Sequence, residues 1–113
     1  MRTPEEAAQA QLDAYNARDI EAFLACYAPG VVVTRDPSGE VLAEGRGTMR
    51  ETYAKLFADA PELHCKLLYR IVHGRCVVDH EEVTGFPGRE QVYAVAIYEV
   101  EEGLIRRVWF LEG

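Results

Sequence analysis

Apolar positions recur with helical spacing over the first 60 residues and alternate after residue 63, so the chain reads as helices followed by sheet. Thr3-Pro4-Glu5-Glu6 predicts a helix start: Thr3 can cap, Pro4 suits the first helical position, and Glu6 stands where a capping box needs a carboxylate. Ala8, Leu12 and Tyr15 then form one apolar stripe. Asn16-Ala17-Arg18 interrupts it, and Asp19 caps a second helix that carries Ile20, Phe23, Leu24 and Tyr27 and stops at Pro29-Gly30. The β-branched run Val31–Thr34 predicts a strand, Asp36-Pro37-Ser38-Gly39 a turn, and residues 40–44 a short returning edge strand. Gly45 and Gly47 open a third helix. Thr48 and Glu51 stand there at capping-box spacing, Met49, Tyr53, Leu56 and Phe57 form the buried stripe, and Pro61 ends it.

Four long strands are predicted next, over 63–73, 75–86, 90–101 and 104–111, separated by Gly74, by Phe86-Pro87-Gly88 and by Glu102-Gly103. The order α-α-β-β-α-β-β-β-β gives an α+β fold, one domain over residues 1–113, with antiparallel long strands and three helices on one sheet face. On the last strand Leu104, Val108 and Phe110 point one way, and Ile105, Trp109 and Leu111 the other. Both faces are therefore apolar and both need cover. Three helices can cover only one, so the outer face is expected to meet a second copy of the chain, with Trp109 as anchor.

The charge balance narrows the partners. Twelve basic against 19 acidic residues leave a net charge of −7, which argues against nucleic acid and against an anionic membrane surface. No apolar run approaches the roughly 20 residues that a membrane-crossing helix needs, and no secretory leader pattern opens the chain. Three cysteines in apolar surroundings (Cys26, Cys65, Cys76) read as reduced thiols and a cytoplasmic location. His73, Cys76 and His80 are close in sequence, but residues three apart on a strand face opposite ways, so no metal site is expected there. The cysteines lack activating charges, and the chain has neither a glycine-rich phosphate loop nor a nucleophile elbow. No cofactor is expected.

The densest chemistry lies in Val77-Val78-Asp79-His80-Glu81-Glu82-Val83-Thr84. Period 2 puts His80 and Glu82 on one face and Asp79 and Glu81 on the other, without saying which pair points inward. One pair would be a solvated face. The other would carry a titratable couple into the core.

Tyr15-Asn16-Ala17-Arg18-Asp19-Ile20-Glu21-Ala22-Phe23, Gly45-Arg46-Gly47-Thr48-Met49-Arg50-Glu51-Thr52-Tyr53 and Gly103-Leu104-Ile105-Arg106-Arg107-Val108-Trp109-Phe110 resemble the nuclear-transport-factor-2-like (SnoaL-like, ketosteroid-isomerase-like) superfamily over essentially the whole chain. The resemblance implies a strongly curved sheet wrapped around the helices as a cone, an internal cavity, and a homodimer through the sheet's outer face. It does not fix an activity, because this superfamily spans isomerases, cyclases, dehydratases, epoxide hydrolases and proteins without chemistry.

Ketosteroid isomerases pair an Asp base with a Tyr and a protonated Asp as oxyanion donors. Here Asp36 resembles the base after a one-residue shift, Gln11 stands at the donor Tyr and Ala96 at the donor Asp, so a steroid isomerase of that design is not expected. The comparison instead turns His80 and Glu82 inward, with His80 as base or acid, Glu82 as its orienter and Asp36 as the alternative base. Tyr15, Tyr53 and Tyr98 are the expected phenolic donors. Val108 and Phe110 supply apolar wall, and Thr52 completes the expected ligand-binding set. Two functions remain open on these residues. One is a cofactor-free isomerase, cyclase or dehydratase acting on a small apolar, carbonyl-bearing molecule. The other is a non-catalytic ligand-binding or dimerisation module.

Overall fold

The computed structural model describes residues 1–112. Three helices, α1 (Pro4–Ala17), α2 (Ile20–Leu24) and α3 (Arg46–Asp59), face one six-stranded sheet. Its strands are β1 (Tyr27–Asp36), β2 (Glu40–Glu44), β3 (His64–His73), β4 (Cys76–Thr84), β5 (Gln91–Glu101) and β6 (Leu104–Leu111), in the spatial order β2-β1-β6-β5-β4-β3. The hairpin-linked strands β3 to β6 pair antiparallel, whereas β1 lies parallel to β6. The sheet curves around the helices without closing, and the fold is α+β.

Local chemistry explains the helix ends. Thr3 Oγ1 accepts from the Glu6 amide at 3.1 Å and the Glu6 carboxylate accepts from the Thr3 amide at 2.8 Å, a reciprocal cap that fixes where α1 begins. Asp19 caps α2 through the Ala22 amide. The box expected at Thr48 and Glu51 does not form: α3 starts three residues earlier, behind Gly45, and Thr48 Oγ1 donates back to the Glu44 carbonyl. Arg18, at φ 53°, ends α1 in the left-handed region. The segment between α1 and α2 also clamps the helix layer to the sheet. The Asn16 side-chain amide donates to the Cys65 carbonyl at 2.9 Å and accepts from the Cys65 amide at 2.7 Å, as a neighbouring strand would, and Arg18 reaches the Leu63 carbonyl at 2.8 Å.

Two bulges set which side chains look inward. One in β3 falls between Leu67 and Tyr69. The other, in β6, leaves Arg106 outside the pairing with Glu99 and Val100 and rephases the strand. Ile105 is therefore fully buried beside Val108, and it is Leu104, not Ile105, that shares a face with Trp109. This corrects the simple alternation expected for β6.

The core fills the concave side. Phe23 stacks at 4.8 Å from Tyr53 and 5.0 Å from Tyr27, and Phe57 and Tyr15 meet edge-on at 5.5 Å. The convex side carries a row in register across four strands, Ile71–Val78–Ile97–Trp109. Arg107 lies over the Trp109 ring at 4.8 Å from its centroid.

Candidate active site

Strand β4 decides the polar geometry. Val77, Asp79, Glu81 and Val83 are buried, whereas His80 is exposed and Glu82 half-exposed. The inward-facing pair is thus Asp79 and Glu81, the reverse of the parity that the family comparison selected. His80 and Glu82 lie on the convex face. The Glu82 carboxylate accepts there from the Gln91 amide and from the Tyr93 hydroxyl at 3.1 Å, and His80 packs near the Tyr93 ring. The physical reason sits one strand away. Arg70 of β3 is in register with Asp79 and binds it with two parallel hydrogen bonds, Nε to Oδ1 at 2.7 Å and Nη2 to Oδ2 at 2.9 Å. The third arm of Arg70 goes to Gln9 Oε1 on α1 at 2.9 Å, and Gln9 donates to Asp13. A carboxylate at 0% exposure is tolerable because its charge is matched and each of its oxygens accepts a hydrogen bond from Arg70.

Glu81 has no such partner. At 5% exposure it borders a cavity of about 170 Å³ between the helices and the concave sheet face. Burial pushes its carboxyl up, and the nearby Asp79 charge pushes it further. A hydrogen bond from the Cys65 thiol and the more distant Arg70 pull the other way, and the balance lies at about 7. Burial and the Glu81 charge together keep the Cys65 thiol protonated.

Three polar groups occupy the far end. Gln11 Nε2 donates to the Tyr98 hydroxyl at 3.1 Å, and the Tyr27 hydroxyl donates to Gln11 Oε1 at 3.3 Å. One amide bridging two phenols has a consequence that does not depend on which way it is turned. Its nitrogen occupies a lone pair of one phenol and its oxygen takes the proton of the other, so one of the two phenolic protons stays free. Burial raises the pKa of both phenols, so the donors stay neutral. Tyr53 is pushed up to about 12 by burial and by the Glu81 charge. The remaining wall is apolar, with Leu12, Leu56, Val83, Val92 and Phe110 among its residues.

Of the residues expected from sequence, Tyr15, Tyr53, Tyr98 and Phe110 border the cavity. Val108 is buried beneath it, and Thr52 is exposed on α3 outside it. Asp36 ends β1 away from the cavity, where it accepts from Thr34 Oγ1 at 2.7 Å and its carbonyl accepts from the Glu112 amide. It is a strand-end residue, not a cavity base. Sequence reasoning missed Glu81, Tyr27 and Cys65 as cavity residues, and it read Gln11 only as a missing tyrosine. The cavity joins a carboxylate poised near neutrality, a free phenolic proton and an apolar wall in one space. Such a set can take up, hold and return a proton.

Similarity to known proteins agrees with this architecture. No curated protein sequence matches. Among solved structures, an uncharacterized cystatin-fold protein from Novosphingobium aromaticivorans is 28% identical and superposes with a TM-score of 0.89 over 99% of this chain and 100% of its own. A provisionally assigned ketosteroid isomerase from Kribbella flavida (22% identity, TM-score 0.80, 96% of this chain and 76% of that one) shares the fold. So does a provisionally assigned polyketide cyclase from Sinorhizobium meliloti (22%, 0.77, 92% of each). The profile of the SnoaL-like domain matches residues 8–108, and the chain belongs to that family, within the nuclear-transport-factor-2-like superfamily.

Proposed function

We propose that the cavity is a cofactor-free acid/base site in which Glu81, not His80 or Glu82, is the base. The carboxylate takes a proton from the carbon beside a carbonyl group. The free phenolic proton of the Tyr98–Gln11–Tyr27 bridge is donated in a hydrogen bond to the oxygen that gains charge. Returning the proton to a different carbon is isomerisation, attack of the enolate on a second carbonyl is cyclisation, and loss of a β-hydroxyl is dehydration. One observation carries this reading: a buried carboxylate without a cation in contact, held near neutrality, in the same apolar space as an uncommitted phenol. The fold shared with a provisional isomerase and a provisional cyclase favours the same reaction class. On the convex side the apolar row through Trp109 supports a homodimer, with the cavities opening away from the shared face.

The test is exchange of α-hydrogens. A small cyclic ketone is incubated with the protein in heavy water, and deuterium uptake is followed by NMR. Wild-type protein should accelerate uptake with a rate that rises through about pH 7, and Glu81→Gln should lower it by roughly 10²–10⁴-fold. Exchange no faster than in buffer, or equal rates for the two proteins, would leave the cavity a binding site only.

A further inference from the structure

On that reading of the cavity, we infer that its ligand is a neutral, single-ring carbonyl compound that enters oxygen first, and that Phe86 sets the upper limit on its length. The volume gives the first constraint. A closed apolar space of about 150 Å³ holds one benzene ring, and the cavity here measures about 170 Å³. One six-membered ring with a small substituent or two fits. A fused multi-ring skeleton does not.

Charge gives the second constraint. No Lys, Arg or His borders the cavity among the described residues, Arg70 being committed to Asp79 and Gln9. An anionic ligand would enter a space that already holds Glu81, with nothing to offset its desolvation. Carboxylates and phosphates are therefore excluded and a neutral carbonyl is favoured.

The sheet register supplies the orientation. Along β4 and β5 the facing pairs run Val77–Tyr98, Asp79–Ala96, Glu81–Ala94 and Val83–Val92, and the strands then part into the loop that carries Phe86. The phenol bridge thus lies at the deep end, Glu81 midway, and hydrocarbon toward the mouth. A carbonyl oxygen meets its donors only by going in first, which leaves the rest of the ligand pointing at Phe86.

Phe86 borders the cavity while remaining 38% exposed, the position of a residue at an entrance. Its backbone has little freedom to retreat. Gly85, at φ +75°, presses so closely on the turn between α3 and β3 that a Cβ there would stand 2.1 Å from the Glu62 carbonyl oxygen. The loop is pinned at its first residue, and the size of the Phe86 side chain is left to fix how far a ligand can extend.

Binding is measured by NMR titration of three ketones of rising size, cyclohex-2-enone, 1-tetralone and a four-ring 3-ketosteroid, together with benzoate as an anionic single ring. Wild-type protein and Glu81→Gln should both bind the enone at least about tenfold more tightly than tetralone, and neither should bind benzoate or the steroid. Phe86→Ala should bring tetralone to within about threefold of the enone, and Phe86→Trp should weaken the enone itself. Tetralone or steroid binding to wild type as well as the enone, an unchanged ratio in Phe86→Ala, or no ketone binding at all would overturn the inference. Because binding is read without turnover, size selection with no deuterium exchange refutes the proposed chemistry alone. Exchange without size selection refutes this inference alone.

Discussion

Glu81 follows Asp79 by two residues on the inward face of β4, and the Arg70 guanidinium grips the first carboxylate while leaving the second uncovered. The two acids share an element and a face, yet their environments separate their behaviour. Asp79 is held as one half of an ion pair. Glu81 feels burial and its neighbour's negative charge, so its proton is retained to about pH 7. The ion pair thereby tunes the group beside it.

That shift fixes the sign of a pH dependence. The carboxyl of Glu81 titrates near the ordinary value of 4.5 in the unfolded chain and at about 7 in the folded one. Between these values the folded state binds the extra proton. Glu81 therefore favours folding most at acid pH, and its contribution falls as pH rises through about 7, by roughly 3 kcal/mol in all. Glu81→Gln removes this fall. Thermal unfolding should show the variant matching wild type below about pH 5 and exceeding it above about pH 8. A wild-type advantage at alkaline pH would mean that the carboxylate is stabilised by contacts other than those described.

Removing Arg70 should be costly in a way that removing the whole pair is not. Arg70→Met leaves Asp79 charged and fully buried, a loss of about 3–5 kcal/mol. Arg70→Met combined with Asp79→Leu should recover most of it. Urea midpoints of the two variants decide the matter, and equal losses would show that shape, not charge, governs this position.

The convex row provides a third test. Trp109→Glu places a charge among Ile71, Val78 and Ile97. If a second copy covers this face, sedimentation should change from dimer to monomer while the Glu81 cavity keeps its ligand affinity. An unchanged sedimentation coefficient would remove the dimer.

The parts of the structure that follow local rules were readable in the sequence. Thr3 with Glu6, and Asp19 alone, fixed two helix starts by side-chain chemistry that needs no tertiary context. The glycine-containing turns set antiparallel neighbours in the right order. What escaped was parity. A bulge inserts one residue without leaving a mark on an apolar pattern, so Ile105 and Leu104 exchanged faces at Arg106. In β4, Val77 and Val78 are equally apolar, so the alternation carried no information about which side was inside. The signal lay across the Gly74 hairpin. With His73 opposite Cys76, Arg70 falls opposite Asp79 and its guanidinium follows that carboxylate inward, whereas the β3 partners of His80 and Glu82, Tyr69 and Lys66, are both exposed. Glu81 follows from that pairing. Tyr27 is hidden for another reason: the apolar spacing places it at the end of a helix that in the structure stops three residues earlier, whereas it opens β1 and borders the cavity.

The placement of the aromatic residues makes the protein its own optical probe. The single tryptophan lies on the outer side of the sheet under a guanidinium, whereas Tyr15, Tyr27, Tyr53 and Tyr98 surround the cavity. Indole emission therefore responds to any partner that covers the outer surface, and these four tyrosines respond to occupancy within, whereas the exposed Tyr69 and Tyr93 lie outside the cavity. The one indole can thus be read apart from the cavity in an unlabelled sample.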